Sequence, residues 1–155
     1  MAPPITTTEY RALAELRHRI RLFLKEGDAT ARTAGLEPQQ YMMLLAIRGL
    51  PAHEDASIRT LAGRLALKHH SAVELLDRLE KHGYVRRSRS REDRRQVFIS
   101  LLPRGQRALD EVARQRISEL RASGVALVSA IEALLEKGRN GNSRLSKHGR
   151  KKKGA

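Results

Sequence analysis

Apolar residues recur every three or four positions along most of this chain, and the breaks between runs fall at glycine, proline or polar clusters. Leu13, Leu16, Ile20, Phe23 and Leu24 follow Thr7 and Thr8, which predicts a long first helix with a threonine cap, running to about Arg32 ahead of Gly35. Pro38 opens a second helix, QQYMMLLAIRGL, apolar nearly all round and so a buried central element, ended by Gly49 and Pro51. After the polar AHEDA, Ser57 caps SIRTLAGRLAL, with Ile58, Leu61, Ala62 and Leu65 on one face. A few residues later HHSAVELLDRLEKHG sets Ala72, Leu75, Leu76 and Leu79 on one face and stops at Gly83. Two short helices joined by a tight turn are a helix-turn-helix candidate. YVRRSR and QVFISLL are strand-length segments around a polar loop and predict a β-hairpin. Pro103 begins a long helix, PRGQRALDEVARQRISELRASG, and VALVSAIEALLEKG continues as another. After Gly138 the periodicity ends among Gly, Asn, Ser and Lys, which predicts a disordered basic tail.

The order is helix, helix, helix-turn-helix, hairpin, helix, helix, with no strand-helix-strand alternation. The fold class is therefore mainly α: a winged helix-turn-helix with a two-stranded β-wing and helical arms at both ends. The expected boundaries are an N-terminal arm over 1–35, the winged head over 36–102, C-terminal helices over 103–138 and the tail over 139–155. A chain of 155 residues is long enough for one domain with a real core, or a small core plus an extended dimerisation element. Few aromatics leave that core to Leu, Ile, Val and Ala, a mixture that favours helices.

Charge changes the picture more than composition does. A formal net charge of +14 concentrates polyanions around the molecule, which makes nucleic acid the leading partner and an anionic membrane surface the second. The absence of cysteine rules out disulfides, thiolate metal sites and thiol redox sensing. No signal peptide and no apolar run of membrane-spanning length are present, so a soluble, cytoplasmic protein with no membrane association is expected. No metal-ligand quartet converges: His69 and His70 point to different sides of a helix, and His53 beside Glu54 and Asp55 lacks further ligands. No cofactor loop or acid–base set stands out either, so neither a cofactor nor enzyme activity is expected.

Residues 86–95 carry six arginines directly after the helix-turn-helix, answered only by Glu92 and Asp93. An arginine-rich hairpin in that place can flank a helix lying in a DNA groove and enter the narrow, electronegative minor groove. Arg91 is the expected tip, supported by Arg89 and Arg94, and Arg95 is a further expected DNA contact, while Asp93 braces the loop by pairing with guanidiniums or accepting a backbone N–H. On the helix after the turn, His69, His70, Ser71, Val73, Glu74 and Arg78 lie off the leucine face and are the expected readers. His70 can donate to guanine, Ser71 can bond a phosphate or a base, and Val73 can pack on a thymine methyl. Glu74 and Asp77 repel phosphates. Glu74 either accepts from a cytosine N4 or, like Asp77, pairs with Arg78 and Lys81.

These stretches carry a resemblance. Residues 61–109 resemble the MarR family of winged helix-turn-helix transcriptional regulators: D-R-L-E-x-x-G-x-V-x-R is matched by Asp77, Arg78, Leu79, Glu80, Gly83, Val85 and Arg87. The wing pattern D-P-x-D-R-R, then a strand and L-T-P-x-G, is matched at Asp93, Arg94, Arg95, Leu101, Pro103 and Gly105. Ser90, Arg91 and Leu102 depart from it. The resemblance implies a homodimer whose terminal helices interdigitate and whose reading helices face a pseudo-palindromic double-stranded DNA operator. It also implies a repressor released by a small aromatic or phenolic anion, for which His18, Tyr41, Met42 and Arg48 are candidates by helix position. Apolar stripes at Leu109, Val112, Ala113, Ile117 and Leu120, and at Leu127, Val128, Ile131, Leu134 and Leu135, favour the dimer over a monomeric bundle. The alternative function is a basic winged-helix interaction module that binds acidic protein or RNA without reading DNA sequence.

Overall fold

The computed structural model describes Met1 and residues 4–146, with side chains to residue 136. Seven elements follow in the order α1 (Thr7–Thr33), α2 (Pro38–Arg48), α3 (Ile58–Arg64), α4 (His69–Lys81), β1 (Val85–Arg89), β2 (Val97–Leu101) and α5 (Pro103–Ser146). The mainly α, winged helix-turn-helix architecture is the one the periodicity predicts. Among the described residues, no helix is long and apolar enough to cross a membrane.

Local chemistry sets the boundaries. Thr6, one residue before the expected caps, starts α1: its Oγ1 accepts from the Glu9 N–H while the Glu9 carboxylate accepts from the Thr6 N–H at 2.7 Å, a reciprocal box. Ser57 Oγ accepts from Thr60 N at 3.1 Å and caps α3. Three helices stop in the same way, with the N–H three residues past the last helical one donating back to a carbonyl in the last turn: Leu36 to Ala31, Leu67 to Ala62 and Tyr84 to Leu79, each at 2.9 Å. Left-handed backbone is required just before each of those donors. Gly83 takes φ +72° at no steric cost, whereas Ala66, in the turn between α3 and α4, holds φ +51° with a Cβ attached.

Two compact units share α1 and α5. The first, residues 26–117, holds a core of Ala31, Leu36, Met43, Leu44, Leu61, Leu75, Leu76, Leu79, Val85, Ile99, Leu109 and Val112. Its edges fall inside α1 and α5 rather than at residues 35 and 102, because Ala31, Leu109 and Val112 are buried in this core. The two strands pair antiparallel from Val85 opposite Leu101 to Arg89 opposite Val97. The other edge of β2 is tied to the segment before α3 by Ile99 N donating to Ala56 O at 2.8 Å, which fixes the wing against the helix-turn-helix. At its root, Tyr84 O accepts from Leu102 N at 2.9 Å, and a Cβ on Gly105 would stand 2.1 Å from that same oxygen. Glycine at this position lets the start of α5 lie on the backbone of Tyr84, immediately before β1.

The second unit comprises residues up to 25 and from 118 onward. Here the expectation of two C-terminal helices is corrected, since α5 runs unbroken from Pro103 to Ser146. A glycine inside a helix costs about 1 kcal/mol relative to alanine, too little to stop a helix with good formers on both sides, so Gly124 and Gly138 are carried through. The disordered tail expected from residue 139 is likewise helical through Ser146, and residues 147–155 lie outside the described residues.

Candidate nucleic-acid interface

The reading helix α4 buries Ala72, Leu75, Leu76 and Leu79. At 3.6 residues per turn the opposite face carries His70, Glu74, Asp77 and Lys81, all exposed, with His69 exposed at the N-terminal end. Ser71 is half-buried. Val73 is half-buried as well, and its carbonyl faces a guanidinium of the wing.

That guanidinium belongs to Arg87 in the middle of β1. Its Nη2 donates to Asp77 Oδ1 at 2.6 Å and to Val73 O at 3.4 Å, while Nη1 donates to Glu80 Oε2 at 2.5 Å. Glu80 also accepts from the Arg87 backbone N–H at 3.1 Å. Burial tends to lower the Arg87 pKa, but the hydrogen bonds to Glu80 and Asp77 outweigh it and raise the value above that of a free arginine. The partner expected for Asp77, Arg78 or Lys81 on its own helix, is thus corrected to a strand residue. The planar fork of arginine reaches two carboxylates and a carbonyl at once, which a pair confined to one helix face cannot match. Arg87 joins the reading helix to the wing and cancels two acids on α4. Sequence reasoning counted Arg87 as a motif position without giving it this role; acids three apart on a helix followed by an arginine on the next strand were the available signal.

The wing loop is built by side chains holding backbone. Ser90 N donates to Gln96 O at 3.0 Å and closes the loop. Ser90 Oγ accepts from the N–H groups of Glu92 and Asp93, at 3.2 and 3.3 Å, so this serine does the work of a turn-forming aspartate. Asp93 Oδ1 accepts from Arg95 N at 3.0 Å. Of its two expected modes the backbone one is present. Arg89, Arg91, Arg94 and Arg95 are all exposed, with Arg91 and Arg94 in the loop itself and Arg89 at the end of β1.

Two clefts adjoin this surface. One of about 680 Å³ brings His69 of α4 together with Arg95, Gln96 and Phe98 of the wing and with His53 and Arg59. The acid beside it, Glu54, is occupied: Arg64 Nη2 donates to its Oε1 at 2.6 Å, and that bond holds the carboxyl below the usual carboxylate range. The other cleft, about 470 Å³, is lined by Arg78 with Asp28, Arg32 and Glu37, so Arg78 lies on a different side of α4 from His70. Neither is lined by the effector candidates His18, Tyr41, Met42 and Arg48. His18, Met42 and Arg48 are exposed. Tyr41 is half-buried, and burial pushes its phenol up against the opposing pull of Arg116.

Comparison with known proteins follows the same lines. The profile of the MarR family matches residues 34–96. A HTH-type transcriptional regulator of Bacillus subtilis, YsmB, is 30% identical over 122 residues, which cover 79% of this chain and 82% of that protein. Among solved structures, AbsC, a MarR family transcriptional regulator from Streptomyces coelicolor, superposes with a TM-score of 0.68 at 20% identity over 97% of this chain and all of the other. A mutant MarR from E. coli complexed with operator DNA gives 0.58 at 21% identity, over 79% of this chain and 91% of its own. At these identities the two structures speak for the fold.

Proposed function

This chain belongs to the MarR family of DNA-binding, winged helix-turn-helix transcriptional regulators, and we propose that it acts as a homodimeric repressor that occludes a pseudo-palindromic operator. Members of the family are regulators, not enzymes. The observation that carries the proposal is the division of the charges: Arg87 is consumed internally, while His69 and His70 on α4 and Arg89, Arg91, Arg94 and Arg95 on the wing stay exposed, His69 and Arg95 lining one cleft. A helix of that kind enters the major groove, and the wing arginines reach the adjacent minor groove and phosphates.

Dimerisation is supported by large apolar side chains left on the surface of a single chain. Leu13, Ile20 and Leu24 on α1, and Leu120, Val125, Val128, Ile131 and Leu135 on α5, are all exposed, Val125 by 72%. A stripe this long on terminal helices calls for a partner, and a second copy supplies two reading heads at a spacing of about one DNA turn. The test is selection of bound duplexes from a randomised pool at about 150 mM salt, where purely ionic capture is suppressed. An enriched palindrome supports the proposal. Binding that fades smoothly with salt and selects nothing overturns it in favour of a charge-driven interaction module.

A further inference from the structure

Resting on the DNA-reading proposal above, we infer that Glu74 is a sequence-determining residue of α4, accepting from the exocyclic amine of a cytosine and thereby fixing one C·G pair in each half-site. Three acids lie on α4: Glu74, Asp77 and Glu80. Arg87 binds the last two, at 2.6 and 2.5 Å. Glu74 is exposed and forms no hydrogen bond or ion pair among the described residues, although Arg78 follows it at the spacing where a helical pair could close.

Its position sharpens the point. Glu74 stands one turn after His70 on the line opposite Ala72, Leu75, Leu76 and Leu79, the part of the helix that faces furthest from the core. In a docked complex that line looks onto base edges, not along the phosphate rails. A carboxylate there meets acceptor atoms on guanine N7 and O6, on adenine N7 and on thymine O4, all repulsive, whereas the cytosine N4 amine is a donor. Adenine N6 is also a donor, but it lies beside the N7 acceptor, an arrangement that suits an amide and penalises a carboxylate. Glu74 thus selects partly by exclusion, and its charge weakens binding to every other sequence.

The test compares full-length wild type, Glu74→Ala and Glu74→Gln in selections from a randomised duplex pool, with thermal melts alongside. Because Glu74 is exposed and unbonded, all three proteins are expected to melt at the same temperature. Wild type should enrich a half-site with one strongly preferred cytosine. Glu74→Ala should lose that preference by roughly tenfold or more and bind random duplex more tightly, and Glu74→Gln should move the preference to adenine. If wild type enriches a motif and both variants keep the same base at every position, the inference about Glu74 is overturned while the regulator reading stands. If wild type enriches no motif at all, the regulator reading fails and takes this inference with it.

Discussion

Replacing Gly105 with alanine probes the contact on which the wing is mounted. A Cβ there would lie 2.1 Å from Tyr84 O, 2.9 Å from Tyr84 C and 3.2 Å from Tyr84 Cα, all backbone atoms, so no side-chain rotation relieves the clash. Tyr84 O is also the acceptor for Leu102 N at 2.9 Å, and the Tyr84 ring lies under the Arg104 guanidinium at 5.0 Å, so a shift of this strand disturbs several contacts. Overpacking costs about 1–3 kcal/mol, and loosening a buried backbone hydrogen bond adds about 1 kcal/mol. Alanine returns up to about 1 kcal/mol through its better helix propensity. The net expectation is a destabilisation of about 1–3 kcal/mol, or roughly 3–10 °C in melting temperature for a chain of this size. Melts of both proteins at one fixed concentration measure it, since subunit association makes the midpoint concentration-dependent. An unchanged or raised midpoint would refute the reasoning, because it would mean that α5 and β1 separate freely and that Gly105 is only a poor helix former at the start of α5.

Three further outcomes follow from the same geometry. Arg87→Ala should lower stability by only about 1 kcal/mol, since its carboxylate partners are substantially exposed, yet weaken binding to the preferred duplex by roughly tenfold and to random duplex by less, as the reading helix and the wing are no longer held in one frame; equal losses on preferred and random duplex would contradict the clamp. Ala66→Gly relieves a left-handed alanine worth about 1–2 kcal/mol and adds unfolded-state entropy worth slightly less, so a small gain of about 0.5 kcal/mol in a urea titration is expected, and a loss would count against strain in that turn. Arg91→Ala should reduce affinity most for sites with A/T-rich flanks, while His70→Ala should change the preferred central bases; identical losses on every duplex for both would remove the division between wing and helix.

What could be read from the sequence depended on how local the deciding interaction is. Ser57, Pro38 and Gly83 act within one helical turn, so the elements they begin or end were predictable to within a residue or two. Gly124 misled for the same reason: its penalty is local and small, whereas the helix through it is sustained by residues on both sides. The fate of the charges is a different matter, because it is decided by residues far apart in the chain. Arg87 meets Asp77 ten positions away and Arg64 meets Glu54 at the same separation, each across a turn whose geometry no spacing rule encodes. The effector candidates on α1 and α2 were chosen by helix position alone, and the clefts beside the reading head are lined by other residues.

This distinction bears directly on how the arginine run operates. As sequence, residues 86–95 are a near-uniform block of positive charge, and such a block is a general polyanion binder. Folded, the block is split by function: Arg87 turns inward and holds the reading helix, Asp93 and Ser90 set the loop by accepting backbone N–H groups, and Arg89, Arg91, Arg94 and Arg95 project to solvent. An attractive field without a fixed frame gives affinity with no register. The Arg87 clamp adds the frame, since it ties the outward guanidiniums to a helix whose outermost line carries His70 and Glu74. Under the proposed function, the wing would supply most of the attraction while the helix, including its one uncancelled acid, would supply the discrimination.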